Sequence, residues 1–236
     1  MPEHEEQFNK WIYPLTKKDF INKIILDAGC GNGRNAYWML KYSAKKVVAF
    51  DYDDSTITVA KKNLNKFKNC LVKYNSIYEI NYKEEFDISM AIGVIQHLEY
   101  PERAVNSLVE ATKKNGLVLI WVYAHEGNEW IVKYINPIRK ITSCLPVFLV
   151  NMLSSLLAVV LYSYLHLIKQ QKEYFIQLSK FRFWVIHNII LDQLIPKIAN
   201  YWTKEEALKK FDNKNLKDIE IHKINNNSWT LIGRKR

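Results

Sequence analysis

The sequence predicts a doubly wound α/β fold: a mostly parallel seven-stranded sheet with a C-terminal antiparallel hairpin and an inserted helical cap. Three observations predict it. Apolar runs of strand length alternate with segments of helical spacing through residue 123, and such alternation builds βαβ units with right-handed crossovers. The first run ends in "LDAGCGNGR", which gathers Gly29, Gly31 and Gly33 into five residues of a chain with only seven glycines. Near the C-terminus, "LKDIEIHKI" and "SWTLIGRK" flank "NNN", the pattern of a closing hairpin.

The five parallel strands are "KIILDAG", "KKVVAFD", "CLVKY", "FDISMAIGV" and "GLVLIWVYA", near-continuous apolar runs of the kind that are covered on both faces. Helices are expected near 33–42, 54–66 and 101–113. "TKEEALKKF" opens a later one, with Thr203 as N-cap and Glu206 completing a capping box. One domain is expected, divided into a core at 1–126, a helical insertion at 127–200, and a final helix and hairpin at 201–236. Ligands of such sheets bind beyond the C-terminal strand ends where the strand order reverses, and the glycines sit at the first such end.

A chain of 236 residues that is 48% apolar can bury a full core. Cys30, Cys70 and Cys144 are widely spaced and odd in number, which fits a reducing compartment and no metal set. "MPEHEEQFNKW" lacks the basic start and apolar core of a signal peptide. The expected location is cytoplasmic, with a peripheral position at the inner face of the membrane as an option. Charge is uneven: residues 1–135 hold 18 Lys/Arg against 17 Asp/Glu, and residues 136–236 hold 16 against 7, so +9 of the +10 lies in the second part. Either the C-terminal part meets an anionic partner, or the lysines sit on solvated faces.

Glycines at a strand end allow positive φ and close backbone approach to a ligand, and the next helix offers unpaired N–H groups. A dinucleotide site prefers G-x-G-x-x-G, whereas here the spacing is G-x-G-x-G after an acid, Asp27. An acid opposes a pyrophosphate but suits a cation, and S-adenosyl-L-methionine carries a sulfonium and an ammonium. "ILDAGCGNGR", with the acid ending strand two in "VVAFDYD", resembles motif I of the class I S-adenosylmethionine-dependent methyltransferases, a Rossmann-like family. The resemblance covers residues 24 to about 123.

The resemblance implies that the loop of Gly29, Cys30, Gly31 and Gly33 wraps the cofactor, with Cys30 a small filler. It implies that Asp27 reaches the methionine end, that Asp51 accepts from both ribose hydroxyls, and that Tyr52 flanks the adenine. The family often has an acid after strand three; "VKYNSIYEI" offers Asn75 and Ser76, or the backbone of Ile77, in its place. "IGVIQHLEYPERAV" is similar to the segment after strand four in the quinone-biosynthesis-like branch. Gly93 then joins the cofactor set, Gln96 faces the acceptor, and His97 is the candidate base, the alternative for His97 being a helix-terminal residue.

Tyr123, His125, Glu126 and Asn128, after strand five, are expected to line the acceptor site. Residues 141–168 run 28 positions without a formal charge, longer than the roughly 20 needed to span a bilayer. Because the chain must return to close the sheet, a cap over the acceptor pocket that also touches membrane is favoured over a span. Arg139, Lys140, Lys169 and Lys172 would face anionic lipid across 139–172 at about 1 kcal/mol each. The expected function is methyl transfer to oxygen or nitrogen of a small-molecule or lipid-linked acceptor, with nucleic acid a minor option. Alternatives are an NAD(P)-dependent oxidoreductase and a non-catalytic membrane-associated S-adenosylmethionine-binding protein.

Overall fold

The computed structural model describes residues 2–171 and 173–236. Its strands are β1 (Ile24–Ala28), β2 (Lys46–Asp51), β3 (Cys70–Tyr74), β4 (Phe86–Ile92), β5 (Thr112–Tyr123), β6 (Leu216–Ile224) and β7 (Ser228–Lys235). They form one sheet in the order β3-β2-β1-β4-β5-β7-β6. β7 runs antiparallel to both β5 and β6, and the other neighbours pair in parallel. The order reverses between β1 and β4, so the crevice opens beyond Ala28 and Ile92, where the motifs lie.

The helices between these strands are α3 (Arg34–Lys41), α4 (Asp54–Leu64) and α5 (Pro101–Ala111). Asp53 caps α4 by accepting from the Ser55 and Thr56 N–H groups. α5 stops two residues short of expectation, because Thr112 already pairs with Phe86 in the sheet and its Oγ1 bonds the Leu108 carbonyl and Ser89 Oγ, each at 2.7 Å.

Two helices at the N-terminus, α1 (Pro2–Trp11) and α2 (Lys17–Phe20), add what the sequence reading left unassigned. Phe8, Ile12 and Phe20 are fully buried with Met39, Val47 and Ile88 on one face of the sheet. α5 and α10 (Lys204–Phe211) cover the other, with Leu108, Phe211 and Trp229 in the core. The Thr203–Glu206 capping box at the start of α10 is present in both directions.

Between β5 and α10 the chain forms α6 (Asn136–Thr142), α7 (Val147–Leu167), α8 (Glu173–Ser179) and α9 (Phe183–Leu194). α7 is long and apolar enough to cross a membrane by length and composition, and only 17% of its most apolar window is buried. A narrow stripe, Val150, Ser154 and Ala158, packs inward at helical spacing, while Met152, Leu156 and Val160 are exposed. The neighbouring cation does not behave as a membrane flank. Arg139 is buried, donating from Nε to the Gln193 carbonyl at 2.6 Å and from its NH2 group to Gln193 Oε1 at 2.9 Å and Tyr201 Oη at 3.2 Å. Its charge is spent on holding α6 to α9. Lys140 and Lys169 are exposed, and Lys172 lies outside the described residues.

Candidate active site

The Gly29–Gly33 turn opens the site. All three glycines adopt positive φ, at 74°, 54° and 83°, a region that costs residues with a Cβ roughly 1–2 kcal/mol. Two of them also answer a local demand. A Cβ on Gly29 would lie 2.3 Å from Val94 Cγ2, and one on Gly33 2.7 Å from Leu64 Cδ1, whereas a Cβ on Gly31 would meet nothing within 4 Å. Gly31 borders open space, so the turn is a cradle.

Asp51 ties that cradle to the end of β2. Its Oδ2 accepts the Gly31 N–H and its Oδ1 the Tyr52 N–H, both at 2.8 Å, and each oxygen keeps a lone pair. Asp27 is different: it is fully buried, and neither carboxylate oxygen has a hydrogen-bond partner among the described residues. Burial, then the charge of Asp51, pushes its pKa up to about 7; the Ala36 N–H, outside normal hydrogen-bond geometry, opposes this weakly. A buried acid with orphaned oxygens is suited to a cation that carries hydrogens.

A pH prediction follows from Asp27. Its proton is held more tightly in the folded chain than at the unfolded value of 3.8, so the ligand-free protein loses stability as pH rises from about 4 through 7. The loss is at most roughly 4 kcal/mol. Asp27→Asn should therefore be more stable than the parent at pH 8, with the gap narrowing toward pH 5, in urea unfolding without ligand. Parallel pH curves for the two would mean that Asp27 does not titrate in this range.

One cleft of about 1450 Å³ joins most of the expected residues, larger than the roughly 300–1000 Å³ that holds one drug-sized ligand. Gly29, Cys30, Gly31, Gly33, Asp51, Tyr52, Ser76, Ile77, Gly93, His97, Tyr123 and Asn128 all line it. Cys30 is buried, and burial raises its thiol far above the ordinary value, so it fills space as a neutral group. Tyr52 is 68% exposed and stacks on Tyr74 at 5.2 Å. Ser76 Oγ accepts the Tyr78 N–H at 3.2 Å, capping a short turn.

His97 Nδ1 lies 2.8 Å from the Ile198 carbonyl. A carbonyl only accepts, so Nδ1 carries the hydrogen and Nε2 of the neutral ring is the free base. Burial holds its pKa below the ordinary value despite that bond, and the ring meets Tyr123 edge-on at 5.6 Å. Tyr123 in turn stacks on Tyr201 at 5.2 Å and meets Trp121 edge-on at 5.6 Å.

Five expected site residues stand elsewhere or are otherwise engaged, the first being Asp27, which is fully buried and does not line the cleft. Gln96 is fully buried outside the cleft lining, with neither side-chain amide atom paired, and its carbonyl accepts from Asn200. His125 and Glu126 do not line the cleft: the His125 N–H donates to the Trp202 carbonyl at 2.9 Å, and Glu126 Oε1 accepts the Lys204 N–H at 3.2 Å. They fasten β5 to the start of α10. Asn128 touches the cleft, yet its Nδ2 donates to the Ala124 and Asn227 carbonyls, which makes it a clamp on the β6–β7 turn. No residue of α7 lines the cleft, so the apolar run is not the cap expected of it. Trp11, Arg34, Trp121, Tyr174, Asp192 and Tyr201 do line it, and sequence reasoning missed them because they converge from five distant segments.

Residues 26–120 match the family described as "Methyltransferase domain". Residues 26–120 thus carry a class I S-adenosylmethionine-dependent methyltransferase domain. The methyltransferase domain is 32% identical over 135 residues to the tRNA U34 carboxymethyltransferase of Campylobacter fetus, covering 52% of this chain and 46% of that protein. It is 28% identical over 117 residues to the enzyme of the same name from Aliarcobacter butzleri, covering 47% and 37%. The chain thus spans less than half the length of these curated relatives. Among solved structures, magnesium protoporphyrin IX methyltransferase from Synechocystis, with bound S-adenosylhomocysteine, aligns over all of this chain and 84% of its own at TM-score 0.60 and 10% identity. A methyltransferase from Aquifex aeolicus aligns over 93% and 87% at TM-score 0.56 and 12% identity. Both share the fold.

These relatives correct the expected partners. A small or lipid-linked acceptor at an anionic membrane, with nucleic acid as a minor option, gives way to relatives named for a tRNA nucleoside. Burial of Arg139 removes one of the membrane contacts on which that expectation rested.

The cofactor of the methyltransferase domain is S-adenosylmethionine, and the residues present fit it. Gly31 borders open space, each Asp51 oxygen keeps a lone pair, and the Asp27 oxygens, buried and not themselves in the cleft lining, are unpaired among the described residues, a set whose chemistry suits a ligand that carries a diol and a cation.

Proposed function

We propose that this protein transfers the methyl group of S-adenosylmethionine to a nucleoside of RNA, with His97 as the base. The observation that carries the transfer is Asp27, a buried carboxylate whose oxygens have no hydrogen-bond partner among the described residues, at the end of β1 beside a glycine turn open to the cleft. The reading assigns the turn to the cofactor, Asp51 to its ribose, Tyr52 with Ser76 and Ile77 to the adenine edge, and Gly93 to the methionine side. The relatives' names, the +9 charge of residues 136–236 and the aromatic wall of Trp121, Tyr123 and Tyr201 support RNA as the acceptor. Such a substrate belongs to the cytoplasm.

S-adenosylmethionine, when bound, supplies a carbon activated by its sulfonium, and the new bond forms as the carbon–sulfur bond breaks. The chain's own work is positioning and proton removal. His97, locked by Ile198 with Nε2 unprotonated, accepts the proton the acceptor atom sheds. Because burial lowers its pKa, the base stays competent to pH values below 6.5.

The test incubates the protein with methyl-labelled S-adenosylmethionine and bulk tRNA, then digests the RNA to nucleosides. Label in one nucleoside is expected; unlabelled RNA from a protein that binds S-adenosylhomocysteine would overturn the acceptor. His97→Ala should leave S-adenosylhomocysteine affinity within about threefold and cut the labelling rate 10²–10⁴-fold, the usual span for a general base. An unchanged rate would remove His97 from the chemistry.

A further inference from the structure

The cleft has a second polar wall that the cofactor residues do not account for. It is built by α1, α3, α8, α9 and the β6–β7 turn. Gln7, Asn35 and Gln177 line it and are all more than nine-tenths buried. Each has an unpaired amide atom: Gln7 Oε1, Asn35 Oδ1 and Gln177 Nε2. Buried amide atoms without partners cost roughly 1–3 kcal/mol each, so three in one wall call for a ligand that satisfies them.

The wall also has an orientation. Asn225 Nδ2 donates to Gln177 Oε1 at 2.8 Å, leaving Gln177 Nε2 as a donor and Asn225 Oδ1 as an acceptor on two joined amides. A donor and an acceptor on joined groups match the C=O and N–H edge of a pyrimidine or purine ring. Tyr174, lining the same cleft and half-buried, supplies an aromatic surface.

One cation stands here. The Arg34 guanidinium lies over the Trp11 ring at 5.2 Å, and among the described residues it makes no ion pair and no side-chain hydrogen bond. Asp192 lines the cleft too and feels the Arg34 charge, yet burial pushes its carboxyl up to about 6. Mostly ionised at neutral pH, it offsets part of the arginine's charge, but among the described residues it forms no ion pair or hydrogen bond with the guanidinium. Five N–H donors in a rigid fork are left for an oxyanion.

We infer that this wall is the acceptor subsite and takes a nucleotide, its phosphate on Arg34 and its base edge on Gln177 and Asn225, with Gln7 and Asn35 receiving ribose or base hydrogens. The inference rests on the RNA-nucleoside reading and adds the residues that select the acceptor. The only other oxyanion expected in this cleft is the carboxylate of the cofactor itself, so the test separates the two sources.

Titration calorimetry on the full chain, saturated with S-adenosylhomocysteine, compares uridine 5′-monophosphate with uridine. The monophosphate should bind at least tenfold more tightly, Arg34→Ala should erase that difference, and Gln177→Leu should weaken both. S-adenosylhomocysteine and 5′-methylthioadenosine, which lacks the carboxylate, are titrated into the same variants without nucleotide. Arg34→Ala should leave both affinities unchanged. Weakening of S-adenosylhomocysteine alone would give Arg34 to the cofactor carboxylate and overturn the inference. Equal binding of uridine and its monophosphate by the parent would overturn it as well. Failure of the parent to bind S-adenosylhomocysteine is a separate result, and it would sink the methyltransferase reading first.

Discussion

Asp51→Ala is expected to bind S-adenosylhomocysteine at least a hundredfold more weakly than the parent chain. Two ribose hydroxyls given to one carboxylate are worth about 1.5–3 kcal/mol each, and about 3 kcal/mol in total is already a hundredfold. The same carboxylate holds the Gly31 and Tyr52 N–H groups, so its loss also frees the glycine turn. Folding should survive, because Asp51 is only half-buried and its removal relieves the repulsion that helps raise the Asp27 pKa. Calorimetry and urea unfolding on one preparation test both halves. An affinity loss below tenfold would take the ribose away from Asp51.

The second large effect is a contrast between two glycines two residues apart. Gly29→Ala should destabilise the fold by roughly 2–5 kcal/mol, since a left-handed alanine costs about 1–2 kcal/mol and crowding a packed site about 1–3 kcal/mol more. Its new Cβ meets Val94 at 2.3 Å from Cγ2 and 3.0 Å from Cγ1, and Val94 is held by the turn after β4, where its carbonyl accepts the His97 N–H. Gly31→Ala meets nothing and should cost only the backbone strain, while placing a methyl group in the cradle and weakening S-adenosylhomocysteine tenfold or more. Urea midpoints and calorimetry for the two variants should therefore dissociate stability from binding. If Gly31→Ala binds as well as the parent, the cofactor does not approach that turn.

Much of this was legible in the chain because it is local. The seven strands, the glycine turn and the Thr203–Glu206 capping box depend on residues near one another, where apolar periodicity and side-chain-to-backbone hydrogen bonds act directly. The side of the cleft built by the glycine turn is legible for the same reason: it is one turn and the ends of adjacent strands. The end of α5 was misjudged by two residues because sheet pairing at Thr112 overrode helical spacing.

By itself, then, the sequence determined the sheet, its closing hairpin and the residues at its switch point, since these follow from short-range chemistry repeated along the chain. Only the tertiary structure decided what faces them. Arg139, read as a membrane flank, is buried because α6 packs on α9 and Gln193 meets its guanidinium. His125 and Glu126, polar residues after a strand, fasten α10 because Trp202 and Lys204 return beside them. α7, the most conspicuous apolar run, stays outside the cleft, while Gln7, Arg34, Gln177 and Asn225 meet around it. Those meetings join segments up to two hundred residues apart, and only long-range packing sets which polar atoms are buried together and which remain unpaired.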